Sequence, residues 1–425
     1  MRSLVLATFI GILTTLAACQ RSSPGAAANV GSGTAAVPSQ TPTSGGSDWP
    51  RFRGPMANGI SPEKGIRKNW AQQPPKPLWR VALSDQGFAG PSVANGRVFI
   101  IDHRGNQDIV RALDLKTGAD VWTYAYQDTD SPNYGFARST PTIDAGKVYT
   151  LSRLGILNCL DEKTGRLLWT RDIVRDFNTE RPGWDLAGSP VIDGERLVLS
   201  PGGENAAVVV LNKDTGQTLL QGGGTVKTGY ATPVAATING VKQYVVFTEK
   251  TLVGVSAANG QLLWSIPWET SYGVNAATPV VIGNSLFITT GYGKGCALVD
   301  VTPSGANIRW QSRDLVAHFN SPVLYKSMIY GIGDPGNMVC LDPLTGRVQW
   351  KQPGFEKGGL VIVDGAIIAL DGRSGACVMA EATPEGYREL GRFTPLGGQS
   401  WTAPIVAQGR LIVRNTQAIA CFDLK

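Results

Sequence analysis

Three features of the sequence predict an all-β fold, an eight-bladed β-propeller. First, one motif recurs. "ALDLKTGADVW" (112–122), "CLDEKTGRLLW" (159–169) and "CLDPLTGRVQW" (340–350) each read as a strand end, an Asp-x-x-Thr-Gly turn and a strand that reaches a tryptophan. Second, a two-strand unit repeats in phase with it, and internal repeats spaced by roughly 40–50 residues mark propeller blades. Third, the last unit lacks its outer strand, while an unmatched strand with a tryptophan stands near the other end of the chain. The 52 Gly and 26 Pro among 425 residues agree, since both favour many turns over long helices.

In chain order, the first element is an export signal. Arg2 precedes an apolar stretch, Leu4 to Leu16, too short to cross a bilayer as a permanent helix. "LAAC" (16–19) resembles the lipobox of bacterial lipoproteins, which implies that residues 1–18 are a lipoprotein signal peptide and that Cys19 carries the lipid. Gln20, where Asp is the inner-membrane retention signal of some bacteria, implies anchoring at the outer membrane by the same resemblance. Residues 19–47 are mostly Ser, Gly, Pro, Ala and Thr, a composition that cannot offset the entropy of ordering, so a flexible tether is expected before a folded part at 48–425.

The two-strand unit has eight copies: "PSVANGRVFII" (91–101), "PTIDAGKVYTL" (141–151), "PVIDGERLVLS" (190–200), "PVAATINGVKQYVVF" (233–247), "PVVIGNSLFIT" (279–289), "PVLYKSMIYGI" (322–332), "LVIVDGAIIAL" (360–370) and "PIVAQGRLIVR" (404–414). Each is an apolar run, a turn signal and a β-rich run, the pattern of a hairpin. The motif degrades to "VLNKDTGQTLL" (210–220), "GVSAANGQLLW" (254–264), "LVDVTPSGANIRW" (298–310) and "MAEATPEGYREL" (379–390). After the eighth hairpin the chain stops at "AIACFDLK", and "PPKPLWRVAL" (74–83) supplies the missing outer strand. The predicted docking positions are Trp79, Trp122, Trp169, Leu220, Trp264, Trp310, Trp350 and Leu390, with the ring closed by the N-terminal strand in the last blade, which removes exposed sheet edges.

In the motif, Asp can accept N–H bonds across the turn and Gly can take a positive φ. The tryptophan can bury its ring against the neighbouring blade and donate its indole N–H to a carbonyl, a burial worth roughly 1.5–3 kcal/mol. These motifs resemble the tryptophan-docking repeat of quinoprotein dehydrogenases, the pyrroloquinoline quinone (PQQ) repeat, over residues 74–425. The same repeat builds the lipoprotein propeller of the outer-membrane β-barrel assembly machine. "DWPRFRGPMANGIS" (48–61) resembles the opening segment of many bacterial propellers of this superfamily, planctomycete ones among them. The repeat speaks for fold more than function.

Quinoproteins of this kind hold Ca²⁺ beside the quinone with Glu, Asn and Asp oxygens, use an Asp as base, and often place a Cys-Cys ring above the cofactor and a Trp below. By that resemblance, Asp185 and Glu356 are the catalytic candidates and Arg138, Trp184, Asn275, Asn320, Lys357 and Trp401 the cofactor-binding ones, all in segments that precede the inner strands. No Cys-Cys pair occurs in the sequence. His103 is expected in a loop and His318 on a channel strand, too few ligands for zinc. Cys159, Cys296, Cys340, Cys377 and Cys421 are expected to be buried as small hydrophobes. No hydrolase elbow, phosphate loop or zinc-protease motif is present. The net charge of +6 has no basic cluster, which argues against a nucleic-acid partner.

The function expected is a lipid-anchored periplasmic scaffold without cofactor, at the outer membrane, with protein partners such as an outer-membrane assembly complex. The long connections 124–139 and 174–188, which mix aromatics with Arg and Asp, are the expected contacts. The alternative is a PQQ- and Ca²⁺-dependent dehydrogenase of an alcohol or polyol.

Overall fold

Burial separates inner from outer strands before any topology is drawn. Central strands such as Ile156–Asp161 and Arg410–Arg414 are buried along their middles, at 157–160 and 411–413. Outer strands such as Leu262–Pro267 alternate between exposed and buried positions. A strand buried on both faces must lie between two sheets, and an alternating one has a solvent face. In the computed structural model, which describes residues 46–84 and 86–425, eight four-stranded antiparallel sheets form a ring. The signal peptide, Cys19 and most of the tether lie outside the described residues.

Blade one is Ser92–Ala94, Arg97–Arg104, Gln107–Asp114 and Asp120–Gln127; blades two to seven repeat this order from innermost to outermost strand. Blade eight joins Ile405–Ala407, Arg410–Arg414 and Ala418–Asp423 to the N-terminal strand Lys76–Ala82, with Trp79 opposite Cys421. Blade seven has a fifth strand, Ile60–Ser61, parallel to Leu360–Val363. The core lies between blades: Tyr149, Leu157 and Cys159 of blade two pack with Leu197, Val209 and Leu211 of blade three. The five described cysteines are free and fully buried.

Asp161 Oδ1 accepts from Thr164 N at 2.9 Å and from its hydroxyl at 2.7 Å, which ties the turn across itself. Gly165 has φ +71, and a Cβ built on it would lie 2.5 Å from Trp122 Cε3 of blade one. The Trp122 Nε1 donates to Glu162 O of the same turn at 2.9 Å. Trp79 stands likewise on Gly118, Trp169 on Gly216 and Trp310 on Gly346, donating to Leu115 O, Lys213 O and Pro343 O. Trp350 donates to Thr383 O at 2.8 Å. The outer strands slip register just before these tryptophans, a bulge that re-aims the side chain.

Two docking positions differ from expectation. Trp264 donates within its own blade, to Gln243 Oε1 at 2.7 Å, because blade five turns tightly through Thr302–Gly305 and has no Asp-x-x-Thr-Gly turn to receive it. In blade seven the register puts Gly391, not Leu390, opposite Met379, the place a tryptophan holds elsewhere. Trp70 of the N-terminal segment fills the space instead, 1% exposed and edge-on to Phe393 at 5.4 Å; a Cβ on Gly391 would lie 2.3 Å from Ala71 N.

Gly165→Ala is expected to destabilise the protein by about 1–3 kcal/mol by overpacking the indole. In a Trp122→Leu background the cost should shrink toward the penalty of the positive φ alone. Denaturant midpoints of the four proteins give the coupling, and equal cost in both backgrounds would contradict the joint.

Candidate functional site

Residues 48–61 run across one end of the ring. Trp49 pairs with Val93 of blade one through two 2.9 Å bonds, and Pro50 O accepts from Ile143 N of blade two. Arg51 reaches Ile192 O of blade three, Arg53 reaches Pro322 O of blade six, Gly59 O accepts from Ile362 N of blade seven, and Ser61 Oγ donates to Val406 O of blade eight. These contacts fall on the innermost strands or, at Pro322, on the residue just before one, so the strap closes the channel there and leaves a cavity of about 500 Å³ with Trp49, Phe52 and Arg53 in its wall. Burial pulls the Arg53 guanidinium down to about 10, still a cation at neutral pH. It donates to the carbonyls of Ala57, Asn58 and Pro322, and among the described residues it has no carboxylate partner.

The rest of the wall comes from the connections that enter the innermost strands. The residue three positions before the first proline of each hairpin (before Leu360 in blade seven) lines the cavity in every blade: Phe88, Arg138, Ala187, Tyr230, Ala276, Phe319, Lys357 and Trp401. This layer sits where the chain turns into the channel and is set by the repeat itself. The sequence carries it as a fixed offset, a signal that a search for oxygen ligands passes over. Trp401 lies 5.2 Å from Phe88, 5.4 Å from Tyr134 and 5.2 Å from Phe319. From His318 the aromatic contacts continue through Tyr292 and Tyr272 to Trp184. Tyr272, Tyr134 and Tyr292 are 75%, 48% and 38% exposed on this loop side.

Of the sequence candidates, Arg138, Trp184, Asn320, Lys357 and Trp401 line this cavity, and Asp185, Asn275 and Glu356 do not. Asn320 Nδ2 donates to Lys357 O and Trp401 O, joining three blades. Asp185 is a counter-ion: Arg153 Nη1 lies 2.7 Å away, Arg181 Nη1 3.2 Å and Arg138 Nη1 3.7 Å. Glu356 pairs with Arg373 at 2.6 Å. Asn275, fully buried, donates Nδ2 to the carbonyls of Thr248, Glu249 and Trp268. Ca²⁺ needs six to eight converging oxygens, and no carboxylate lines the cavity among the described residues. The residues present do not fit a Ca²⁺-bound quinone.

His103 is not in a loop. The hairpin turns tightly at Gly105–Asn106, so Arg104 still pairs with Gln107 and His103 is buried in the strand, 3% exposed. Its Nδ1 is 3.0 Å from Asp108 Oδ1, its Nε2 2.8 Å from Gly105 O, and its ring stacks on Phe136 at 3.5 Å. Tyr126 donates to Asp108 Oδ2, and Arg153 Nε donates to Asp128 Oδ2 at 2.9 Å. His103, Asp108 and Asp128 are the one cluster of three such groups among the described residues whose ligand atoms all lie within 4.8 Å. Sequence reading missed it because its members lie on two hairpin strands and a following loop, joined only by the fold.

An eight-bladed propeller of the PQQ-repeat type, its channel made into a one-ended aromatic cavity, is the class that fold and site define. The family model of the outer membrane protein assembly factor BamB matches residues 70–141 and 105–352, and the chain belongs to that family. BamB of Moranella endobia is 22% identical over 308 residues, 65% of this chain and 72% of that protein. The structure of BamB from Moraxella catarrhalis superposes with a TM-score of 0.59 at 17% identity, covering 82% of this chain and 99% of the other. The quinohemoprotein alcohol dehydrogenase of Comamonas testosteroni gives 0.64 at 12% identity, covering 89% and 80%. At these identities the structural likenesses speak for the fold.

Burial pushes the Asp108 carboxyl from 3.8 up to about 6; the His103 hydrogen bond opposes the rise and Asp128 adds to it. Between those values the folded state holds a proton that the unfolded state has released, so rising pH removes stability. Relative to Asp108→Asn, the wild type is expected to lose on the order of 2–3 kcal/mol between pH 4 and pH 7. Unfolding of both proteins in denaturant across that range measures it, and a constant difference would overturn the assignment.

Proposed function

We propose that the protein is a scaffold of outer-membrane protein assembly, held at the periplasmic face of the outer membrane by a lipid on Cys19, and that it binds polypeptide partners with its loop face. The observation that carries this reading is the exposed aromatic rim of Tyr134, Tyr272 and Tyr292, beside the 124–139 and 174–188 connections, in a chain of the assembly-factor family. Aromatic and Arg side chains at one face are the composition of protein interfaces. The rival reading, a PQQ-dependent alcohol dehydrogenase, is disfavoured because Asp185 and Glu356 are occupied by arginines.

Tyr134→Ala/Tyr272→Ala is expected to weaken binding to the purified barrel subunit of the assembly machine by at least about tenfold. Biolayer interferometry with each purified protein measures this, and unchanged affinity defeats the choice of face. Calorimetry with PQQ and Ca²⁺ should give no heat. Saturable heat together with dye-linked alcohol oxidation would replace the scaffold with the enzyme.

A further inference from the structure

His103, Asp108 and Tyr126 stand directly opposite one another on three neighbouring strands of blade one, so their side chains share a face. The His103 ring is buried, and each of its nitrogens meets an oxygen. Nδ1 faces Asp108 Oδ1 at 3.0 Å, and Nε2 faces Gly105 O at 2.8 Å. A carbonyl oxygen only accepts, so Nε2 must carry a hydrogen. The contact between Nδ1 and Oδ1 needs a second proton, on one atom or the other. A neutral imidazole beside an ionised Asp108 has only one, and one of the two contacts then sets lone pair against lone pair. In a buried place that costs free energy, and the contact must give. The other polar groups around the pair are already engaged. Tyr126 donates to Asp108 Oδ2, and Arg153 Nε holds Asp128 Oδ2 at 2.9 Å. Asp102 accepts from the His103 N–H and pairs with Arg111 at 3.1 Å, with Arg104 4.0 Å away.

This pair touches the 124–139 connection twice. The imidazole stacks on Phe136 at 3.5 Å, and Asn106 O, in the turn next to Gly105, accepts from Asp128 N at 2.9 Å. Arg153 lies over the same Phe136 ring at 5.5 Å and donates to Asp130 O. Its Nη1 is 2.7 Å from Asp185 of the 174–188 connection. Tyr134, two residues before Phe136, is exposed at the rim. We infer that the proton shared by His103 and Asp108 is a pH-sensitive latch on the 124–139 connection. While it is held, the imidazole stays seated against Phe136; when it leaves, the imidazole shifts and the connection loosens. The latched state holds the proton, so it is favoured at low pH and lost as pH rises. The two groups titrate as one pair. Burial, which lifts the Asp108 carboxyl to about 6, moves the change toward neutral pH. The latch stands on this geometry alone, and its consequence for partner binding rests on the scaffold reading.

Hydrogen exchange of the full folded domain tests it, read by mass spectrometry on peptides covering 128–139 and normalised for the intrinsic pH dependence of exchange. Protection there is expected to fall at least about tenfold between about pH 5 and about pH 8, while the blade-four strand Val241–Phe247 stays unchanged. In Asp108→Asn the amide donates to Nδ1 at every pH, so the fall should vanish and the connection stay protected. His318→Gln, at the other of the two histidines, should keep the fall. Constant protection in the wild type, the same fall in Asp108→Asn, or its loss in His318→Gln overturns the inference. Nitrogen NMR of the His103 ring leaves the pair unaltered and should show its transition where protection is lost. Transitions separated by more than about one pH unit also overturn the latch. Affinity for the purified barrel subunit is expected to fall with the protection in the wild type and to stay constant in Asp108→Asn. Unchanged wild-type affinity while the connection opens would count against the choice of binding face and leave the latch standing.

Discussion

The ring depends on one joint, an indole from one blade laid on the turn glycine of the next. Trp122 on Gly165 shows why both partners are needed: the glycine supplies a positive φ and the absence of a Cβ, and the ring takes the space and donates to the turn's carbonyl. Since the central strands are buried on both faces, a blade without neighbours would expose two apolar faces. Blades therefore stabilise one another only as a closed series, and the N-terminal strand on Ala418–Asp423 completes it. Where the joint is missing, the chain compensates with other means: Gln243 takes the Trp264 indole, and Trp70 fills the place that Gly391 leaves open.

Closing the ring creates a channel, and the 48–61 strap makes that channel one-ended. The position three residues before the first proline of each hairpin, or before Leu360 in blade seven, then has no part in the indole joints between blades. It is free to vary in size and charge, and its residues run from Ala to Trp and include Arg138 and Lys357. A ring of positions set by the fold but unconstrained by packing is where a propeller can carry chemistry of its own.

How much of the site was legible follows from what each residue type needs. Arg138, Trp184, Asn320, Lys357 and Trp401 were legible because the segments before the inner strands must face the channel, and the repeat offset places Arg138, Lys357 and Trp401. Asp185, Asn275 and Glu356 come from the same segments but turn away. Asp185 and Glu356 meet arginines brought close by folding, and Asn275 satisfies three backbone carbonyls. The burial of His103 was hidden by the two-residue turn at Gly105–Asn106, which reads as a loop and forms a hairpin.

The sequence alone determined the eight-fold repeat, the hairpins, most of the tryptophan joints and the N-terminal strand that completes blade eight. All of these are local patterns written at a fixed spacing, and regular burial follows from them. Only the tertiary structure decided that Trp70 serves between blades seven and eight, that the strap closes one end, and which polar side chains reach the cavity. Those outcomes depend on contacts between segments hundreds of residues apart, such as Arg53 with Pro322, and on which cation reaches a carboxylate first. Spacing along the chain does not encode such distances, because they are set by the closure of the ring.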